Sequence, residues 1–131
     1  MTTTSALNIS KVGRVCVTTS DTDRSLDFYV GVLGFEKVVD TPMAPGMRWV
    51  EVSVGSGETT IAIAPPPPGT PVGGQQTGIV LDSSDLDADH AALRAAGADA
   101  DEEISRMGDP VPPMFWLRDP DGNSLIVVQA P

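Results

Sequence analysis

The feature that most limits what this chain can fold into is a repeated order of signals. Ser20-Asp21, a helix N-cap pair, returns as Ser84-Asp85. Gly34, placed to end a helix in the left-handed conformation, returns as Gly97. Both recurrences fall at an offset of about 64 residues, a spacing at which self-similarity points to a repeated structural unit. A chain of 131 residues is long enough for one domain with a real core and short for two independent ones. The repeat is therefore read as two modules of a single domain.

Within the first module, KVGRVCVTT alternates. Val15 and Val17 share one strand face, and Arg14, Cys16 and Thr18 share the other. The stretch TDRSLDFYVGVL then places Leu26, Tyr29, Val30 and Leu33 at helical spacing. Strands are predicted at 35–41, 47–54 and 59–64, with a loop over 42–46 and a turn over 55–57. PPPPGTPVGGQQ, residues 65–76, cannot hold a helix or a central strand and reads as a linker. The pattern restarts with a strand at 78–81 and a helix at 86–96, which carries Leu86, Leu93 and Ala96 on one side. A charged edge over 99–103, then Ile104 and a Pro-rich loop, lead to a β-hairpin. Its apolar runs, 114–117 and 125–128, flank Asp119-Pro120-Asp121-Gly122.

The predicted fold class is α+β, built from two β-α-β-β-β modules. Module 1 covers 11–64 and module 2 covers 77–129, after a loose tail over 1–10. One helix covers one face of each sheet, and the two bare faces can close into a cup that suits a small molecule. A net charge of −10, with eight scattered Lys and Arg, argues against nucleic acid and anionic membranes as partners. No run of about 18 apolar residues predicts a membrane span, and the N-terminus does not read as a secretion signal. The single cysteine, Cys16, rules out an intramolecular disulfide and fits the cytoplasm.

VTTSDTDRSLDFYVGVLGFEKV, IVLDSSDLDADHAALRAAGAD and FWLRDPDGNSLIVVQ together resemble the vicinal oxygen chelate superfamily. That superfamily includes glyoxalase I, extradiol dioxygenases, fosfomycin-resistance proteins and bleomycin-binding proteins. The resemblance spans residues 11–129. It implies a U-shaped mixed sheet around a cup, a homodimer, and, in the enzymes, a divalent metal held by His, Gln or Glu on inner strands. The matching positions here are Arg14, Ala62, Gly78 and Ile126. None is a metal ligand, and a permanently protonated arginine repels a cation. No metal or other cofactor is therefore expected.

The candidate ligand-binding residues are Arg14, Cys16, Trp49, Glu51, Ala62, Phe115, Trp116 and Ile126. Alternation puts Trp49, Glu51 and Ser53 on the cup side and Val50, Val52 and Val54 toward the helix. Phe115 and Trp116 are adjacent and cannot both face the cup. Cys16 lacks a base, since Arg14 supplies charge without proton transfer, and reads as a buried apolar cysteine. His90, on the second helix, reads as a packing residue. Met43, Met47, Met107 and Met114 are expected beside the mouth of the cup. Two functions are compatible with these residues. One is a metal-free protein that binds, and so sequesters, a small organic or antibiotic-like molecule. The other is an enzyme of the same superfamily: a glyoxalase-like lyase, an extradiol dioxygenase, or a metal-free catalyst using Arg14 and Glu51.

Overall fold

The computed structural model describes residues 6–55 and 57–131. Residues 1–5 of the expected tail, and Ser56 of the expected turn, therefore lie outside the described residues. Residues 7–10 carry no regular secondary structure.

Module 1 runs β1 (Arg14–Thr18), α1 (Thr22–Leu26), a π-helical stretch (Asp27–Val32), β2 (Glu36–Ala44), β3 (Met47–Ser53) and β4 (Thr60–Ala64). Module 2 runs β5 (Gln76–Ser83), α2 (Leu86–Ala95), β6 (Asp99–Ala100), β7 (Met114–Arg118) and β8 (Ser124–Gln129). The strands form two four-stranded sheets, ordered β1-β4-β3-β2 and β5-β8-β7-β6. In each, the first strand pairs parallel with the last and the remaining pairs are antiparallel. The α+β class and the paired modules are as expected, and each module contributes one four-stranded mixed sheet.

Both caps are built as the sequence indicates. Asp21 accepts a hydrogen bond from the backbone N–H of Arg24, and Asp85 does the same for Ala88. The first helix departs from its predicted packing. Its C-terminal part is a π-helix, which turns more residues per revolution and shifts the buried stripe. Phe28 and Tyr29 are both buried, while Val30, expected inside, is exposed. The predicted loop over 42–46 is also corrected, because β2 runs through Pro42 to Ala44. Proline is tolerated there because β2 is an edge strand, and the register shifts between Pro42 and Ala44.

The face of sheet 1 carrying Val17, Val50, Val52, Ile61 and Ile63 packs with Phe28 and Tyr29. Leu117, Leu125 and Val127 of sheet 2, with Leu86 of α2, belong to the same cluster, so both modules share one core. Burying apolar surface on this scale is the dominant favourable term in folding. No helix among the described residues is long and apolar enough to cross a membrane.

The β7–β8 turn locks the modules together. Asp121 accepts hydrogen bonds from Thr19 Oγ1 at 2.7 Å, Ser20 N at 3.1 Å and Arg24 Nη2 at 3.0 Å. Burial alone would raise the Asp121 carboxyl, but donors from Thr19, Ser20 and Ser25 outweigh it and hold it below its ordinary value. Asp119 accepts from Tyr29 Oη at 2.7 Å and from Asn123 Nδ2 at 2.9 Å. Asn123 Nδ2 also donates to the Thr18 carbonyl at 2.9 Å. Burial, with the Asp119 carboxylate beside it, pushes the Tyr29 hydroxyl far above its usual range, so it stays a donor.

Candidate binding face on sheet 1

The face of sheet 1 turned away from the helix is set by register. Arg14 pairs with Thr60, Cys16 with Ala62, and Glu51 with Ala62. Because paired residues share a face, Arg14, Cys16, Glu51, Thr60 and Ala62 stand together, with Trp49 two residues before Glu51. Small side chains at Cys16 and Ala62 leave the middle of this face low.

Glu51 is the centre of the group. It lies on an interior strand and is only 7% exposed. Its carboxylate accepts from Thr60 Oγ1 at 2.6 Å, from Trp49 Nε1 at 2.7 Å and from Arg14 Nε at 3.3 Å. The Thr60 and Trp49 bonds, with Arg14 adding, outweigh burial and hold the Glu51 carboxyl below the usual carboxylate range. Arg14 is engaged through Nε, and its side chain is 55% exposed. No bond from its two Nη groups is made among the described residues, so its outer edge is open to a ligand. Trp49 has committed its only donor to Glu51, which leaves its ring surface as its contribution.

The candidate residues of module 2 divide. Trp116 and Ile126 pair across β7 and β8, on the face turned away from α2. Phe115 stands on the opposite face from Trp116. It is 1% exposed and lies under α2, its ring centroid 4.9 Å from that of His90. Strand alternation forces this choice, since Leu117 and Val127 already commit the same face to the core. His90 is likewise structural, with Nε2 2.7 Å from the Asp101 carbonyl. Cys16 is exposed rather than buried, because it stands on the face of β1 turned away from the core that Val17 enters. Met43, Met47 and Met107 are exposed, the first two on the β2–β3 hairpin, while Met114 lies on β7. Among the described residues, no hydrogen bond joins the Arg14 group to Trp116 or Ile126.

Sequence reasoning missed Thr60. It stands two residues before Ala62 on the same strand, so alternation counted from Ala62, the position the family resemblance picked out, also selects it. Its donor role was invisible until the register with Arg14 and Glu51 was known. A separate cavity of about 220 Å³ lies at the module junction, lined mainly by apolar residues such as Leu33, Phe35, Leu81 and Leu93. It shares no residue with the Arg14 group.

A metal does not fit the face. Arg14, Ala62, Gly78 and Ile126 offer no donor, and among the described residues no three His, Cys, Asp or Glu side chains are grouped to hold an ion.

Residues 11–127 match the model of the Glyoxalase/Bleomycin resistance protein/Dioxygenase superfamily. The crystal structure of TnmS3, an antibiotic binding protein from Streptomyces sp. CB03234, is 31% identical, with a TM-score of 0.82 over 95% of this chain and 99% of that one. A superfamily member from Sphaerobacter thermophilus DSM 20745 is 34% identical, with a TM-score of 0.84 over 95% and 100%. The uncharacterized protein YetH of Bacillus subtilis (strain 168) is 25% identical over 124 residues, 91% of this chain and 98% of that protein.

Proposed function

Because the chain belongs to the Glyoxalase/Bleomycin resistance protein/Dioxygenase superfamily, we propose that it is a metal-free binding protein that sequesters a small organic molecule on the Arg14–Glu51–Trp49 face. The observation that carries this reading is the Arg14 guanidinium, held through Nε and open at its outer edge. It stands where the family resemblance puts a metal ligand in the enzymes. Guanidinium N–H groups suit a carbonyl or oxyanion, and the Trp49 ring suits a planar body. The antibiotic binding described for TnmS3, a structure 31% identical, supports a ligand of this general kind.

An acid/base enzyme built on Glu51 fits less well. Three donors already occupy that carboxylate and keep it ionised, so it has little basicity to lend a substrate. The second wall of the cup is Trp116 and Ile126, and the working form is a homodimer, in the cytoplasm, without nucleic acid or membrane partners. Exposed Val38, Met43 and Met47 on the β2–β3 hairpin give a second copy apolar surface to cover.

The test begins with elemental analysis of the purified protein. Zn, Ni, Fe and Mn are expected well below one per chain, and a chelator should leave the melting temperature unchanged. A thermal-shift screen of small aromatic compounds should then yield binders that Arg14→Ala weakens about ten- to a hundredfold. One tightly held metal per chain, or no binder that depends on Arg14, would overturn the reading.

A further inference from the structure

Glu51 does more than brace the face. We propose that Glu51 sets the charge selectivity of the site, so that it takes neutral planar aromatic compounds bearing a carbonyl in preference to their anionic counterparts. This inference rests on the binding reading above and narrows its ligand class.

The argument is one of charge matching. Arg14 supplies the positive charge of the group, and Glu51 stands 3.3 Å from its Nε. Thr60 and Trp49 hold Glu51 in its ionised form at 2.6 and 2.7 Å, so the pair has no net charge. An oxyanion at the outer edge of Arg14 meets a cation already matched, with a fixed carboxylate behind it. The repulsion between charges about 6 Å apart, at an effective dielectric of 20–80, amounts to roughly three- to a hundredfold in affinity; it offsets most of the attraction the oxyanion has for Arg14, while only the anion must also shed a charged group's hydration to bind. The rest of the chain adds to this bias, since its net charge is −10. A neutral carbonyl oxygen still accepts from the Arg14 Nη groups and escapes the repulsion. The Trp49 ring, its N–H turned to Glu51, favours an aromatic body.

The experiment compares two nearly isosteric probes, 2-naphthamide and 2-naphthoate, by quenching of Trp49 and Trp116 fluorescence at neutral pH. Calorimetry confirms each affinity. Wild type should bind 2-naphthamide about tenfold more tightly than 2-naphthoate. Glu51→Gln should raise the affinity for 2-naphthoate about tenfold relative to 2-naphthamide, a change of ratio that a merely structural loss, weakening both probes alike, would not give. Circular dichroism checks that each variant is folded. Should Glu51→Gln not fold, Arg14→Gln serves instead and should cost 2-naphthamide about tenfold. A wild-type preference for 2-naphthoate, or a ratio indifferent to the loss of the Glu51 charge, overturns the inference. If neither probe binds while other aromatic compounds bind in an Arg14-dependent way, the ligand class is wrong and the binding reading stands. If nothing binds, both fall.

Discussion

Tyr29 and Asp119 show how much one buried polar contact can control. The Tyr29 hydroxyl is fully buried and donates to Asp119, which also accepts from the backbone N–H groups of Asp121 and Asn123. Removing the hydroxyl deprives the carboxylate of one donor among several. Removing the carboxylate strands a buried hydroxyl, an amide and two backbone donors. Tyr29→Phe should therefore cost about 1–2 kcal/mol and Asp119→Ala about 3 kcal/mol or more. Urea denaturation checks the order, and equal losses would mean that Asp119 is not the hub. At this scale the sequence was informative where period-2 alternation applied. Arg14, Glu51 and Trp49 share one face, as alternation along their own strands assigned them, and Ala62, placed by the family resemblance, pairs onto it. It could not choose between Phe115 and Trp116, because neighbours on a strand always oppose each other and only the packing of α2 decides which face is inner.

Among the elements, the β7–β8 turn and the linker meet at close range. Gly74 N donates to the Asp121 carbonyl at 3.0 Å, and Gly73 N donates to Thr18 Oγ1 at 3.1 Å. A Cβ on Gly73 would lie 2.0 Å from the Asp121 carbonyl oxygen, at a φ of +72°. Gly69 has a similar φ of +79° but nothing within 4 Å. Gly69→Ala should cost about 1 kcal/mol from backbone strain, and Gly73→Ala at least about 2 kcal/mol more. Similar thermal midpoints for the two would refute the tight approach. Asp121 gives the same contact a pH signature. Its folded value lies below the ordinary 3.8, so its contribution is present above that value and is lost as pH falls through the folded one. Asp121→Asn should lower the melting temperature at neutral pH and flatten its decline in acid, as a pH series by calorimetry would show. Caps and closing glycines made both helices legible in the sequence. The π-helical turn was not legible, because it follows from how Phe28 and Tyr29 both reach the core rather than from any local signal.

For the molecule as a whole, the repeat announced two like modules, and the matching strand orders bear that out. How they associate was not legible, since sequence period says nothing about which faces meet. The open face of sheet 1 and the exposed hairpin predict a homodimer, so light scattering should give twice 13.7 kDa at micromolar concentration. A mass near 13.7 kDa would refute it. The lock between the modules also bears on how the chain is made. Thr19 and Asp121 are 102 positions apart. During synthesis, the opening strand and helix leave the ribosome long before the carboxylates that hold them. Module 1 must wait with Thr19 Oγ1, the Ser20 N–H and the Tyr29 hydroxyl lacking their carboxylate acceptors until the last hairpin arrives. Contacts of such long range slow folding, because a large loop must close before they form. The nascent first half is thus the stage at which a chaperone has most to protect.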